Sequence, residues 1–183
     1  MTNYRRAYQP GGTYFFTVVT HGRRPFLCDP GARSLLRQAF STIRQRWPFR
    51  VDAIVLLPDH LHYVWTLPLG DANFSTRWNQ IKGTFTKSWL ARGGGEVAPG
   101  LSRRIRRERG VWQRRLFEHC CRDEEDRRRC MDYVHVNPLK HELVERVSDW
   151  PWSSFHRYVR LGEYSLDWGN ASEWYGDEWN GFE

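Results

Sequence analysis

Leu56-Leu57-Pro58-Asp59-His60-Leu61-His62-Tyr63-Val64-Trp65-Thr66-Leu67-Pro68 places two histidines one residue apart inside an apolar run rich in β-branched and aromatic residues. That pattern predicts a strand. Side chains alternate across a strand, so His60, His62, Val64 and Thr66 share one face and Leu61, Tyr63, Trp65 and Leu67 share the other. Same-face neighbours lie roughly 6.5 to 7 Å apart at Cα. From that separation two imidazoles can converge on one divalent ion. A His-x-His pair alone is weak evidence, because imidazoles also occur on strand faces as ordinary polar residues.

Working outward, Arg50 to Leu57 reads as a second strand, joined to the histidine strand by a tight Pro58-Asp59 turn, so the two are antiparallel neighbours. Upstream, Thr13-Tyr14-Phe15-Phe16-Thr17-Val18-Val19-Thr20 is a strand buried on both faces. Between them Asp29 and Pro30 open a helix whose Ala32, Leu35, Leu36, Ala39, Phe40, Ile43 and Trp47 form one stripe. Downstream, Ser75 is expected to cap a helix running to about Arg92, with Trp78, Ile81, Phe85 and Trp89 inward and Arg77, Lys82 and Lys87 as solvated charge. Gly93-Gly94-Gly95 stops it.

The stretch Leu101 to Arg109 carries Arg103, Arg104, Arg106, Arg107 and Arg109 and predicts a flexible basic loop. Trp112 to Phe117 predicts a strand with Arg114 and Arg115 on opposite faces, one of which could look toward the histidines. Asp123 then caps a helix with an acidic first turn, Glu124-Glu125-Asp126. Cys130, Met131 and Val134 of this helix point to a core. Its end, Tyr133-Val134-His135-Val136-Asn137-Pro138, sets Tyr133 and Asn137 one turn apart on one face. Pro138 is expected to fray the helix at Asn137 and leave the amide free to turn outward. His135, on another side, reads as structural.

The 183 residues suit one domain over 1–183, divided into a basic N-terminal arm (1–12), a core (13–149) and an aromatic, acidic C-terminal tail (150–183). Hydrophobic residues make up 40% and aromatic residues 15%, which excludes a disordered chain. Net charge is +7, nearly all from Arg. Guanidinium forks suit phosphates and base edges, which favours a polyanion partner over a merely solvated basic surface. The four cysteines show no C-x-x-C spacing and read as free thiols of a reducing cytoplasm. No apolar h-region or membrane-length run is present. An acidic tail packed over a basic body could also compete with a polyanion and so be autoinhibitory.

The order strand, helix, strand, strand, helix, strand, helix is that of an α+β, ferredoxin-like βαββαβ antiparallel sheet (RRM-like) with an added C-terminal helix. A central His-x-His strand followed by a late Tyr-x-x-x-Asn helix resembles the HUH single-tyrosine transposases. Pro58-Asp59-His60-Leu61-His62, Trp112-Gln113-Arg114-Arg115, Tyr133 to Pro138 and Trp150-Pro151-Trp152-Ser153-Ser154 resemble one branch, the REP-associated tyrosine transposases. The likeness begins at Tyr4-Arg5-Arg6-Ala7-Tyr8 and Pro10-Gly11-Gly12 and spans nearly the whole chain.

The resemblance implies cleavage and rejoining of single-stranded DNA at hairpin-forming repetitive extragenic palindromes through a 5′-phosphotyrosine intermediate. It implies His60 and His62 as metal ligands, Asn137 as the third, and Tyr133 as the catalytic nucleophile; more distant relatives place Gln where this chain has Asn137. Two neutral imidazoles and an amide oxygen suit Mg²⁺ or Mn²⁺ over Zn²⁺ beside an oxygen-rich substrate. DNA contacts are expected from Arg5, Arg6, Arg23, Arg24, Arg103, Arg104, Arg106, Arg107, Arg114 and Arg115. The resemblance also implies a monomer, with a homodimer left open. Two other classes stand beside this one. A non-catalytic RNA- or DNA-binding module of the same fold would have no use for the histidines, and a metal-dependent hydrolase would never form a protein-linked strand.

Overall fold

A computed structural model of the chain describes residues 8–106 and 108–169. Arg5, Arg6 and Arg107, and the tail from residue 170 onward, lie outside the described residues. Four strands form one antiparallel sheet: β1 (Thr13–Val19), β2 (Arg50–Leu56), β3 (His60–Thr66) and β4 (Phe117–Cys120), in the spatial order β2-β3-β1-β4. With α1 (Pro30–Arg46) after β1 and α2 (Phe74–Ala91) after β3, the order and pairing are those of a ferredoxin-like fold.

Alternation along the central strands sorts the core into two layers. Tyr14, Phe16 and Val18 of β1 and Leu61, Tyr63 and Trp65 of β3 face α1 and α2, packing with Leu36, Phe40, Trp78 and Phe85. Trp65 stacks on Trp78 with ring centroids 4.7 Å apart. On the opposite face Phe15, Val55 and Val64 meet Met131, Tyr133 and Val134 of α4 (Glu124–Lys140). The histidine face of β3 is therefore the one α4 covers, and the alternation expected from the sequence is the one observed. Register sets Thr17 opposite His62 and Val19 opposite His60.

Asp123 caps α4 as expected, its carboxylate accepting from the Asp126 N–H. Elsewhere the elements depart from the sequence reading in ways that bear on function. α2 is capped by Asn73, whose side chain accepts from the Thr76 N–H, and not by Ser75. Arg77 is buried at 2% exposure rather than solvated. Its guanidinium donates to the carbonyls of Asn73 (2.8 Å) and Pro48 (2.9 Å) and to Asp71 Oδ2 (2.6 Å), tying α2 to the end of α1. Lys82 is also held, donating from Nζ to the Gln113 carbonyl at 2.6 Å. Residues expected as a loop form the short helix α3 (Leu101–Ile105), with Arg103 donating to the carbonyls of Arg109 and Trp112.

The strand expected over 112–117 is displaced to Phe117–Cys120. The chain touches β1 where Gln113 N–H donates to the Val19 carbonyl, bulges outward through Arg114 and Arg115, and rejoins at Phe117. Ladder register with β1, not β propensity, decides where it pairs. The Trp150-to-Ser154 motif closes the free edge of β2. Leu56 N–H donates to the Trp152 carbonyl, Ser154 N–H to that of Ile54, and Trp150 Nε1 to that of Leu56 at 2.9 Å. An exposed edge would otherwise be open to pairing with another chain. α5 (Phe155–Arg160) follows, and no helix among the described residues is long and apolar enough to cross a membrane.

Candidate active site

The site grows from the turn between β2 and β3. Asp59 precedes the strand and accepts a 2.6 Å hydrogen bond from His60 Nδ1, while its other oxygen meets the Arg23 guanidinium at 3.1 Å. Burial alone would raise the Asp59 carboxyl; His60 and Arg23 outweigh it and hold the group below the usual carboxylate range. One strand step on, His62 Nδ1 sits 2.9 Å from Thr17 Oγ1 on β1. Both rings are thus anchored through Nδ1, with centroids 4.9 Å apart. Each leaves Nε2 as the atom available for other work.

His62 is wholly buried and its Nε2 has no hydrogen-bond partner among the described residues. Burial first, then the positive potential of His60, His141 and Lys140, drives its pKa well below the ordinary imidazole value. The ring is therefore neutral, as a metal ligand must be. Asn137 lies close enough to nudge the His62 ring back toward basicity, yet the two side chains miss hydrogen-bond geometry. Both polar atoms of the Asn137 amide are buried without a partner among the described residues.

α4 brings the second half of the site. Its helical course continues through Pro138 to Lys140, so Asn137 is neither frayed nor turned outward but faces the sheet, fully buried. The bias against helix before a proline is a preference, overridden here by the packing of α4 on β2 and β3. One turn earlier the Tyr133 ring meets His62 edge-on at 5.2 Å and Phe15 at 5.6 Å. Lys140 Nζ lies 3.4 Å from the Tyr133 hydroxyl and 5.1 Å from its ring centroid, and the His141 ring packs 4.9 Å from that of His60. Lys140 and His141 were not anticipated from the sequence; the seven-residue step from Tyr133 to Lys140, two helical turns, was the available signal.

His135 is structural, its Nε2 2.9 Å from Ser154 Oγ and its pKa lowered to about 3 chiefly by burial.

Of the expected DNA-contacting arginines, Arg23 and Arg115 line a cavity of about 150 Å³ together with His60, His62, Thr17 and Gln113. Arg114 instead pairs with Glu108 at 2.8 Å, Arg24 lies over the Phe26 ring at 5.5 Å, and Arg104 and Arg106 are exposed on and just after α3. Lys82, Lys87, Arg103, Arg109 and Arg114 line a neighbouring groove of about 470 Å³. A larger cavity of about 650 Å³ between α1 and the β2 edge contains neither the histidines nor Tyr133, and we place no chemistry there. With α1 and α2 on one face of the sheet and α4 on the other, the central strands present no open platform for stacking bases among the described residues.

No protein-family model matches the chain. A REP-associated tyrosine transposase of Escherichia coli (strain K12) is 43% identical over 168 residues, which is 92% of this chain and 91% of that protein. A Haemophilus influenzae relative carrying the same family name is 41% identical over 170 residues, covering 92% and 94%. A solved structure of a REP-associated tyrosine transposase bound to a REP hairpin superposes with a TM-score of 0.76 at 41% identity, covering 97% of this chain and 93% of that one.

Proposed function

The chain belongs to the REP-associated tyrosine transposases, and on that premise we propose that it cleaves and rejoins single-stranded DNA beside hairpin-forming palindromes through a covalent tyrosine intermediate. The observation that carries the reading is the seating of Tyr133 against His62, with the unpartnered Asn137 amide one turn along the same helix.

His60, His62 and Asn137 would hold a divalent cation, Mg²⁺ or Mn²⁺. When bound it supplies a field that polarises a phosphodiester oxygen, undiminished because the three ligands are neutral. The orphaned His62 Nε2 and the orphaned Asn137 amide fit this use, since buried polar atoms left unpaired are costly and call for an explanation. Asp59 fixes the proton of His60 on Nδ1, and Thr17 does the same for His62 by accepting from Nδ1. Tyr133 oxygen forms the new bond to phosphorus as the bond from phosphorus to the 3′ oxygen breaks. The phenolic proton ends on the released 3′ hydroxyl, so the step needs no co-reactant and reverses on joining. The Lys140 ammonium beside the phenol stabilises negative charge as it develops on that oxygen. Tyr133 is fully buried, so the arrangement described is a resting one and DNA has to expose the ring.

Arg23 and Arg115 flank the histidine cavity and the Lys82-to-Arg114 groove adjoins it, providing a track for backbone phosphates. The test is incubation of the protein with a hairpin carrying a single-stranded flank and Mn²⁺. A denaturant-resistant adduct mapped to Tyr133, lost in Tyr133→Phe while hairpin binding persists, is the expected result. An adduct on another residue, or free ends with no adduct at all, would overturn the reading.

A further inference from the structure

Away from the histidine cavity, the junction of β4 and α4 gathers a second set of donor atoms with softer chemistry. His119 sits on β4, Cys121 directly after it, and Asp126 and Cys130 lie four apart on one face of α4. Ligand atoms of His119, Asp126 and Cys130 all fall within 4.8 Å of one another, and Cys121 Sγ is 3.8 Å from Cys130 Sγ. Two thiolates on one tetrahedral zinc, with bonds of about 2.3 Å, stand about 3.8 Å apart. Cys121, Asp126 and Cys130 are buried, which shields such a site from exchange.

We propose that His119, Cys121, Asp126 and Cys130 form a zinc site that pins the first turns of α4 to the edge strand β4. Binding releases the two thiol protons, and the proton that His119 Nε2 now donates to Asp126 leaves that nitrogen, the neutral ring carrying its one proton on Nδ1 so that Nε2 can ligate. The Asp126 carboxylate now accepts from His119 Nε2 (2.9 Å), the Arg122 N–H (2.9 Å) and Arg122 Nε (3.1 Å). Burial alone would raise its pKa, but these bonds hold it low, so the carboxylate is already ionised. The neighbouring Cys121 thiol first, and burial second, push Cys130 far up, so the Cys130 thiol keeps its proton until a cation displaces it. Arg122 offsets the surplus negative charge of a two-thiolate, one-carboxylate zinc centre. Thiolate donors select zinc over Mg²⁺ or Mn²⁺, so this site and the histidine site take different ions. Cys130 precedes Tyr133 by less than one turn, so the zinc would set where α4 sits along the sheet.

The full chain, stripped with chelator under reducing conditions and titrated with Co²⁺, tests this. One equivalent should give sulfur-to-cobalt charge-transfer absorption with tetrahedral ligand-field bands, both displaced by one equivalent of Zn²⁺. The signal should persist in Cys28→Ser and in His60→Ala/His62→Ala and vanish in Cys130→Ser. Free zinc at 100-fold the dissociation constant should raise the melting temperature by roughly 5 to 10 °C. No charge-transfer band in the folded wild-type chain, a band that survives Cys130→Ser, or one abolished by the histidine substitutions would each overturn the assignment.

Discussion

Asn137→Leu separates a residue kept for function from one kept for stability. The Asn137 carbonyl and amino groups are both buried and have no partner among the described residues. Each such group costs about 1 to 3 kcal/mol relative to a matched one. Leu keeps the γ-branched shape and removes both penalties, against a crowding cost of about 1 to 3 kcal/mol for its greater bulk. The net is a gain of about 2 kcal/mol, which for a chain of this length is a rise of roughly 4 to 8 °C in melting temperature. The assay is thermal unfolding in EDTA and again in saturating Mn²⁺, followed in parallel by cleavage of a hairpin oligonucleotide. Wild type should gain roughly 5 to 10 °C from Mn²⁺ at 100-fold its dissociation constant. The variant should start higher, gain far less and fail to cleave. If Asn137→Leu and the slimmer Asn137→Val both melt below wild type in EDTA, the amide is a structural group and the assignment of its orphaned atoms to an ion is wrong.

Asp59→Asn removes the carboxylate that orients His60 and should weaken Mn²⁺ affinity by about 10- to 100-fold, measured by the Mn²⁺ dependence of adduct formation; unchanged affinity would leave Asp59 as a turn residue only. Arg104→Ala/Arg106→Ala removes two exposed charges and should flatten the slope of log affinity against log salt by about 1.4 on single strands, whereas an identical slope would mean that α3 faces solvent in the complex. Lys82 is buried enough to bring its pKa from 10.5 down to about 8. Between those values the unfolded chain binds the extra proton, so this group makes folding more favourable as pH rises from about 8 toward 10.5. Denaturant unfolding across that window should show the rise in wild type and a smaller one in Lys82→Met; equal slopes would show the amine to be solvated.

The half of the site carried by β3 was legible because a strand's period is short and rigid. Once Leu61, Tyr63 and Trp65 were assigned to the helical layer, His60 and His62 had no choice but the other. The half carried by α4 was legible only in part. The four-residue spacing placed Tyr133 and Asn137 together, but local rules at Pro138 argued for a frayed end, and tertiary packing overrode them. Arg77 misled for a similar reason. An Arg beside the inward Trp78 reads as ordinary charge on the outer side of a helix, and nothing local reveals that three backbone carbonyls of the α1–α2 corner need a donor. The position of β4 depended on ladder register with β1, a partner about a hundred residues away, which propensity cannot supply.

The same dependence on distant segments of the chain shapes the candidate site. Pairing His60 with Asp59 and His62 with Thr17 satisfies one nitrogen of each ring locally, from the adjacent residue and the adjacent strand. The other donors come from a helix at the far end of the chain, and that helix arrives with an amide that nothing among the described residues satisfies. A core assembled for stability alone would have placed apolar groups at His62 and Asn137. Leaving His62 Nε2 and the Asn137 amide unsatisfied by the described residues costs stability at the contact of α4 with β3. Under the proposed function Tyr133 has to be exposed to DNA, and that local cost in stability lowers the work of lifting α4 to expose it.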